Sequence, residues 1–221
     1  MTVSRPSSTL LLAAISLLSF GGAAQAAYPD GFVERLKALA LLETFNADLL
    51  SHDSATETLQ RWCDDHGFAP GARIVARRIR GADKPADDGV RRDLGAGPDE
   101  LVRYRRVQLA CGDRVLSEAD NWYLPARLTP QMNQRLDDSD EPFGAVVRSL
   151  GFHRRTLSAK LLFRPLPENW DSHAARPAGA EAPMTVPPRV LEHRAVLSTA
   201  AGAPFSLVVE TYTDQVLAPG P

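Results

Sequence analysis

The sequence predicts a single α+β domain built on an antiparallel sheet. Three features carry that expectation. Apolar residues recur at helical spacing near the start, between Asp30 and Gly67. From Arg73 onward the pattern changes to short stretches rich in Val, Leu and Tyr. Two of the breaks between those stretches, Gly112-Asp113 and Gly202-Ala203-Pro204, read as turns joining neighbouring strands into hairpins.

Ahead of the domain stands a segment that does not belong to it. Arg5 precedes an apolar run from Leu10 to Phe20, and Ala24-Gln25-Ala26 follows as an A-x-A cleavage site. A charged start, a short apolar run and a small-residue site together read as a cleavable secretory signal over residues 1–26. A membrane span needs roughly 20 uninterrupted apolar residues, whereas this run is broken by Ser16 and Ser19 and closed by Gly21-Gly22. The expected location is therefore periplasmic or secreted, with residues 27–221 as the domain and no stable membrane span after signal removal.

The expected elements follow in order. Asp30 to Leu50 is a helix with Phe32, Leu36, Leu39, Ala40, Leu42 and Phe45 at mixed three and four spacing. A second helix begins after Asp53, where Ser54 and Glu57 form a capping box, and it stops near Gly67. A short mixed strand covers Ile74 to Ile79, and Gly81 to Pro98 reads as a polar loop. Leu101–Cys111 and Arg114–Leu124 make the first hairpin. Thr129-Pro130 starts a short helix ending near Asp137, and Pro142–Leu150 is a further helical turn. Phe152–Pro165 is a strand, then a Pro/Ala/Gly-rich surface excursion spans 165–188. Val190–Thr199 and Phe205–Val216 form the closing hairpin.

Charge and composition exclude some roles. Removing residues 1–26 takes away Arg5 and no acidic residue, leaving 24 basic and 27 acidic side chains, a formal charge of −3. That balance gives no reason to expect a nucleic-acid partner. The five histidines are scattered without ligand-like spacing, so no metal is expected. No Gly-rich phosphate loop or hydrolase signature is present, and no cofactor is expected. The two cysteines, Cys63 and Cys111, either form one disulfide in an oxidising compartment or stay as separate buried residues.

The candidate chemistry lies in charges placed inside strands. Arg105 alternates with Arg103, Val107 and Leu109 on one face, and Arg106 with Tyr104 and Gln108 on the other. Glu210 falls between Val208 and Tyr212, and Arg194 shares a face with Val190 and Val196. A half-buried glutamate among apolar neighbours has a raised pKa unless an arginine pairs with it. The plain alternative is an ordinary cross-strand Arg–Glu pair on a solvated face.

These residues, with several others in the same order, make the chain resemble chorismate lyase and its relatives. The likeness rests on Asp53-Ser54-Ala55-Thr56, Arg105-Arg106-Val107-Gln108-Leu109, Trp122-Tyr123-Leu124-Pro125, Pro142-Phe143-Gly144, and the closing Arg194-Ala195-Val196-Leu197-Ser198 and Val209-Glu210-Thr211-Tyr212. The resemblance implies about six antiparallel strands with helices packed on one side. It implies a small aromatic or cyclic carboxylate as ligand, gripped by Arg105 or Arg106, with Arg194 among the binding candidates. Ala55 and Phe143 would line the pocket, and Glu210 would act as the general acid of a carbon–oxygen lyase that eliminates pyruvate. The family's second arginine falls near Asn121, which weakens the case for a substrate with two carboxylates. Two alternatives stand beside the lyase reading: a non-catalytic extracytoplasmic binding module on the same fold, and a structural or partner-binding envelope protein using 165–188 as its contact surface.

Overall fold

The computed structural model describes residues 30–172 and 184–218. The proposed signal at 1–26 and the middle of the Pro/Ala/Gly-rich stretch lie outside the described residues. Two helices open the domain, α1 (Phe32–Leu50) and α2 (Ala55–Asp65). The Ser54 hydroxyl caps α2 by accepting from the Glu57 amide at 3.3 Å, a contact of a kind typically worth about 1 kcal/mol. The strand β1 (Val75–Arg78) leads to α3 (Asp88–Leu94), then the hairpin β2 (Arg103–Cys111) and β3 (Arg114–Tyr123). Two short helices, α4 (Pro130–Asp138) and α5 (Phe143–Val147), precede β4 (His153–Leu161) and the closing hairpin β5 (Arg189–Ser198) and β6 (Pro204–Thr213).

All six strands join one antiparallel sheet in the order β1-β2-β3-β6-β5-β4. The two hairpins are thus laid side by side, with β3 against β6 at the centre. In the β2–β3 turn, Gly112 adopts φ +56°, and a Cβ there would come within 2.8 Å of the Ala69 side chain. Glycine is required at this position on both counts.

The larger core lies under α1 and α2. Leu42, Phe45, Leu59 and Trp62 pack onto Val107, Leu109, Ala119 and Tyr212 of the sheet. Each large side chain buried in this way contributes roughly 1.5–3 kcal/mol relative to exposure. A second cluster gathers α4 and α5 over Tyr123, Leu197 and Phe205. Cys63 of α2 and Cys111 at the end of β2 are joined as a disulfide, with Cα atoms 6.2 Å apart and both residues fully buried.

Two expectations need correction. The loop expected at 81–98 contains α3, capped by Asp87, whose Oδ1 accepts from the Val90 amide at 2.8 Å, and closed by Gly95 in the left-handed region. Only Val90 and Leu94, four apart, carry its apolar side, so seven residues offered too little periodicity to read. These two side chains cover Trp122, Val196 and Leu207 on the face of the sheet opposite α1 and α2. The excursion at 165–188 is also not all surface. Leu166, Met184 and Val186 are buried, and the last two join the main core.

Candidate functional site

A cavity opens between the helix-covered face of the sheet and the first turns of α2 and α5. Strand register builds its floor. Arg105 of β2 pairs with Asn121 of β3, which pairs with Val208 of β6. One row further along, Val107, Ala119, Glu210 and His193 lie side by side across β2, β3, β6 and β5. The alternation of a strand sends all of these side chains to the same face. The roof is the run Asp53-Ser54-Ala55-Thr56 with Phe143 and Gly144. A Cβ at Gly144 would sit 3.3 Å from Thr56 Oγ1 and 3.4 Å from Ser54 Oγ, so glycine lets the two helix starts approach closely. The interior is small, about 40 Å³, against the roughly 10–15 Å³ needed to hold one water.

Arg105 is the residue that most sets this cavity apart. It is 2% exposed, and Nη2 donates to the Glu141 carbonyl at 3.2 Å. Its Nε and Nη1 have no hydrogen-bond partner among the described residues. Burial, reinforced by the like charge of Arg78, pushes its pKa below the ordinary value. Arginine remains charged through such shifts because its reference value is so high. A buried cation with unmatched donors is stabilised when an anion's oxygens reach it.

The second charged feature is a closed pair. Arg154 of β4 donates from Nη2 to Glu210 Oε2 at 2.6 Å, and the side chains are 3% and 8% exposed. Burial opposes the charge on Arg154, but Glu210 outweighs it and the guanidinium pKa is raised. The Tyr212 hydroxyl donates to the same Oε2 at 3.3 Å. Asp53 secures the rim, since its Oδ1 accepts from the Arg154 amide at 2.7 Å.

Behind Glu210, His193 is fully buried. Its Nε2 lies 2.8 Å from Asn46 Oδ1 of α1, which assigns the proton to Nε2 and leaves Nδ1 bare. Burial is the main reason its pKa falls from 6.5 to about 4. The sign follows from proton uptake. The unfolded chain takes the proton below 6.5 while the folded one refuses it down to about 4, so stability drops as pH falls through that window. Thermal melts between pH 7 and 4 should show His193→Gln with a flatter acid limb than the wild-type protein. Parallel curves would refute this account.

The sequence-derived candidates separate cleanly. Ala55, Phe143, Arg105 and Glu210 all line the cavity. Arg106 does not: it points to the other face, with Glu118 at 3.6 Å and Asp120 at 3.9 Å. Arg194 also leaves the set, because it faces α3 and pairs with Asp93 at 2.8 Å. Arg154 was missed. It follows His153 and precedes Arg155 in an edge strand, a run that reads as solvated surface, and only the register against β5 turns it inward.

No family model matches the chain. It is 54% identical over 194 residues to the uncharacterized protein y4mC of Sinorhizobium fredii, covering 87% of this chain and 82% of that protein. Among solved structures, the effector domain of PhnF from Mycobacterium smegmatis is similar at 16% identity and a TM-score of 0.45, over 73% of this chain and 88% of that one. A GntR-family transcriptional regulator from Enterococcus faecalis matches at 15% identity and 0.39, over 62% and 92%. YydK of Bacillus subtilis, described as a possible transcriptional regulator, matches at 16% and 0.40, over 68% of this chain. The match spans 62% of YydK, under two thirds of its length. These distant similarities concern the sheet architecture alone.

Proposed function

The chain belongs to the same family as y4mC of Sinorhizobium fredii, and from the cavity we propose that it is a binding module for a small aromatic or cyclic carboxylate. One observation carries the reading: the buried Arg105 lines the cavity, and its Nε and Nη1 have no partner among the described residues. The N–H groups of a guanidinium give charge-assisted hydrogen bonds to carboxylate oxygens. The walls of Val107, Leu109, Phe143, Phe152 and Val208 are apolar, as a ring requires, and the interior of about 40 Å³ has to widen to admit one. The order of motifs shared with chorismate lyase supports the same ligand class. We place its action outside the cytoplasm, on the Ala24-Gln25-Ala26 pattern and on a disulfide suited to an oxidising compartment.

Glu210 in the cavity keeps a second reading in view, lyase chemistry on a chorismate-like substrate. A general acid must give up a proton, yet Glu210 Oε2 accepts from both Arg154 and Tyr212. Asn121 stands where a second cation would be needed, and its amide is engaged with Ser206 at 3.2 Å. Binding without turnover fits these contacts better.

The test is Arg105→Met. It keeps much of the stem's volume, removes the fork and relieves a buried charge that has one protein partner. Benzoate affinity measured by calorimetry should fall by roughly 10–150-fold, the equivalent of about 1.5–3 kcal/mol for a charge-assisted contact. The melting temperature should stay level or rise. Unchanged affinity in a folded variant would remove Arg105 from the site. Formation of 4-hydroxybenzoate from chorismate, abolished by Glu210→Gln, would restore the lyase reading.

A further inference from the structure

We infer that the cavity selects acids carrying a single negative charge, and that the Arg154–Glu210 pair sets this limit. The inference rests on the carboxylate-binding reading and adds a charge count to it. Four ionisable groups line the cavity, Arg105, Arg154 and Glu210 in its buried part and the half-exposed Asp53 at its rim. Arg154 and Glu210 cancel through their 2.6 Å contact, so the interior holds one uncompensated positive charge, on Arg105. One carboxylate neutralises it.

A second carboxylate on the same ligand meets no second uncompensated cation. Glu210 sits two strands from Arg105 and one row further along, about 9–10 Å across the sheet and roughly 7 Å along it by Cα position. Side chains reach inward from both ends, so a group para to the bound carboxylate projects toward the Arg154–Glu210 end. There it would face the Glu210 carboxylate and a guanidinium whose charge that carboxylate already offsets through Nη2, with only the Nε of Arg154 left without a partner among the described residues. Asn121, between the two ends, is neutral and engaged with Ser206. At the rim, Asp53 adds another negative charge, and its oxygens already accept from the Arg154 amide and approach His153. Burying an unpaired anion among these groups is unfavourable, whereas a neutral polar group of the same shape can hydrogen-bond to them.

The discriminating probes are benzoate, 4-carbamoylbenzoate and terephthalate, titrated calorimetrically into the protein. The second and third have nearly the same shape and differ by one charge. Benzoate and 4-carbamoylbenzoate should bind within roughly threefold of one another, and terephthalate at least about tenfold more weakly, from like-charge juxtaposition with Glu210. Glu210→Gln keeps an acceptor for Arg154 while removing the negative charge, so a folded variant should narrow or reverse that gap. The wild-type series decides the matter even if the variant fails to fold. Terephthalate binding as tightly as 4-carbamoylbenzoate would overturn the charge limit and leave the carboxylate site standing. Equal loss of both para-substituted acids would overturn it in favour of exclusion by size. Failure of all three acids to bind would remove the carboxylate site itself and this inference with it.

Discussion

Arg154→Met should lower the stability of the fold by about 3–5 kcal/mol, the usual cost of leaving one member of a buried ion pair without its partner. The side chains of Arg154 and Glu210 are 3% and 8% exposed, so water cannot take the place of the missing guanidinium at little cost. What remains to Glu210 is the longer contact from the Tyr212 hydroxyl at 3.3 Å. For a domain of this size, roughly 2–4 °C accompanies each kcal/mol, so the midpoint should fall by about 6–20 °C. The double variant Arg154→Met with Glu210→Met removes both charges, and apolar replacement of a whole buried pair is often neutral. It should recover most of the loss. A single variant that melts within about 1 °C of the wild-type protein would mean that the pair is solvated in solution.

The pair also shows where sequence reading stops. Alternation along β2 separates Arg105 from Arg106, but it cannot say which face the helices cover. That depends on the apolar residues of α1 and α2 meeting Val107 and Leu109, a long-range fact. Glu210 was legible because a lone acid stands among β-branched and aromatic neighbours. Its partner was not, because Arg154 is 56 residues away and reaches it across an intervening strand. Arg194 misled for a related reason. It lies in a strand that the chorismate lyase resemblance covers, yet its face is the one that α3 occupies, and α3 was too short to announce itself. The hairpins and their turns were readable because two-residue periodicity and glycine turns are local signals. The cavity depends on the order β3-β6 at the centre of the sheet, which no local signal encodes.

The second large effect expected is on removal of the Cys63–Cys111 bond. It closes a loop with a sequence separation of 48, for which the chain-entropy relation gives about 4 kcal/mol at 25 °C. Cys63→Ala with Cys111→Ala should therefore melt roughly 8–16 °C below the oxidised protein. The bond has a functional position as well. It ties α2, whose first turn roofs the cavity, to β2, which carries Arg105 in its floor. The double alanine variant should accordingly bind benzoate more weakly even at temperatures where it stays folded. The bond and the proposed export signal make one joint expectation, since disulfides persist in compartments outside the reducing cytoplasm. Intact-mass analysis of protein from its native host should find a chain that begins at Ala27 with both thiols oxidised. A chain that retains Met1 and has two free thiols would remove the export reading. An alanine variant as stable as the oxidised wild type would remove the stabilising role of the bond.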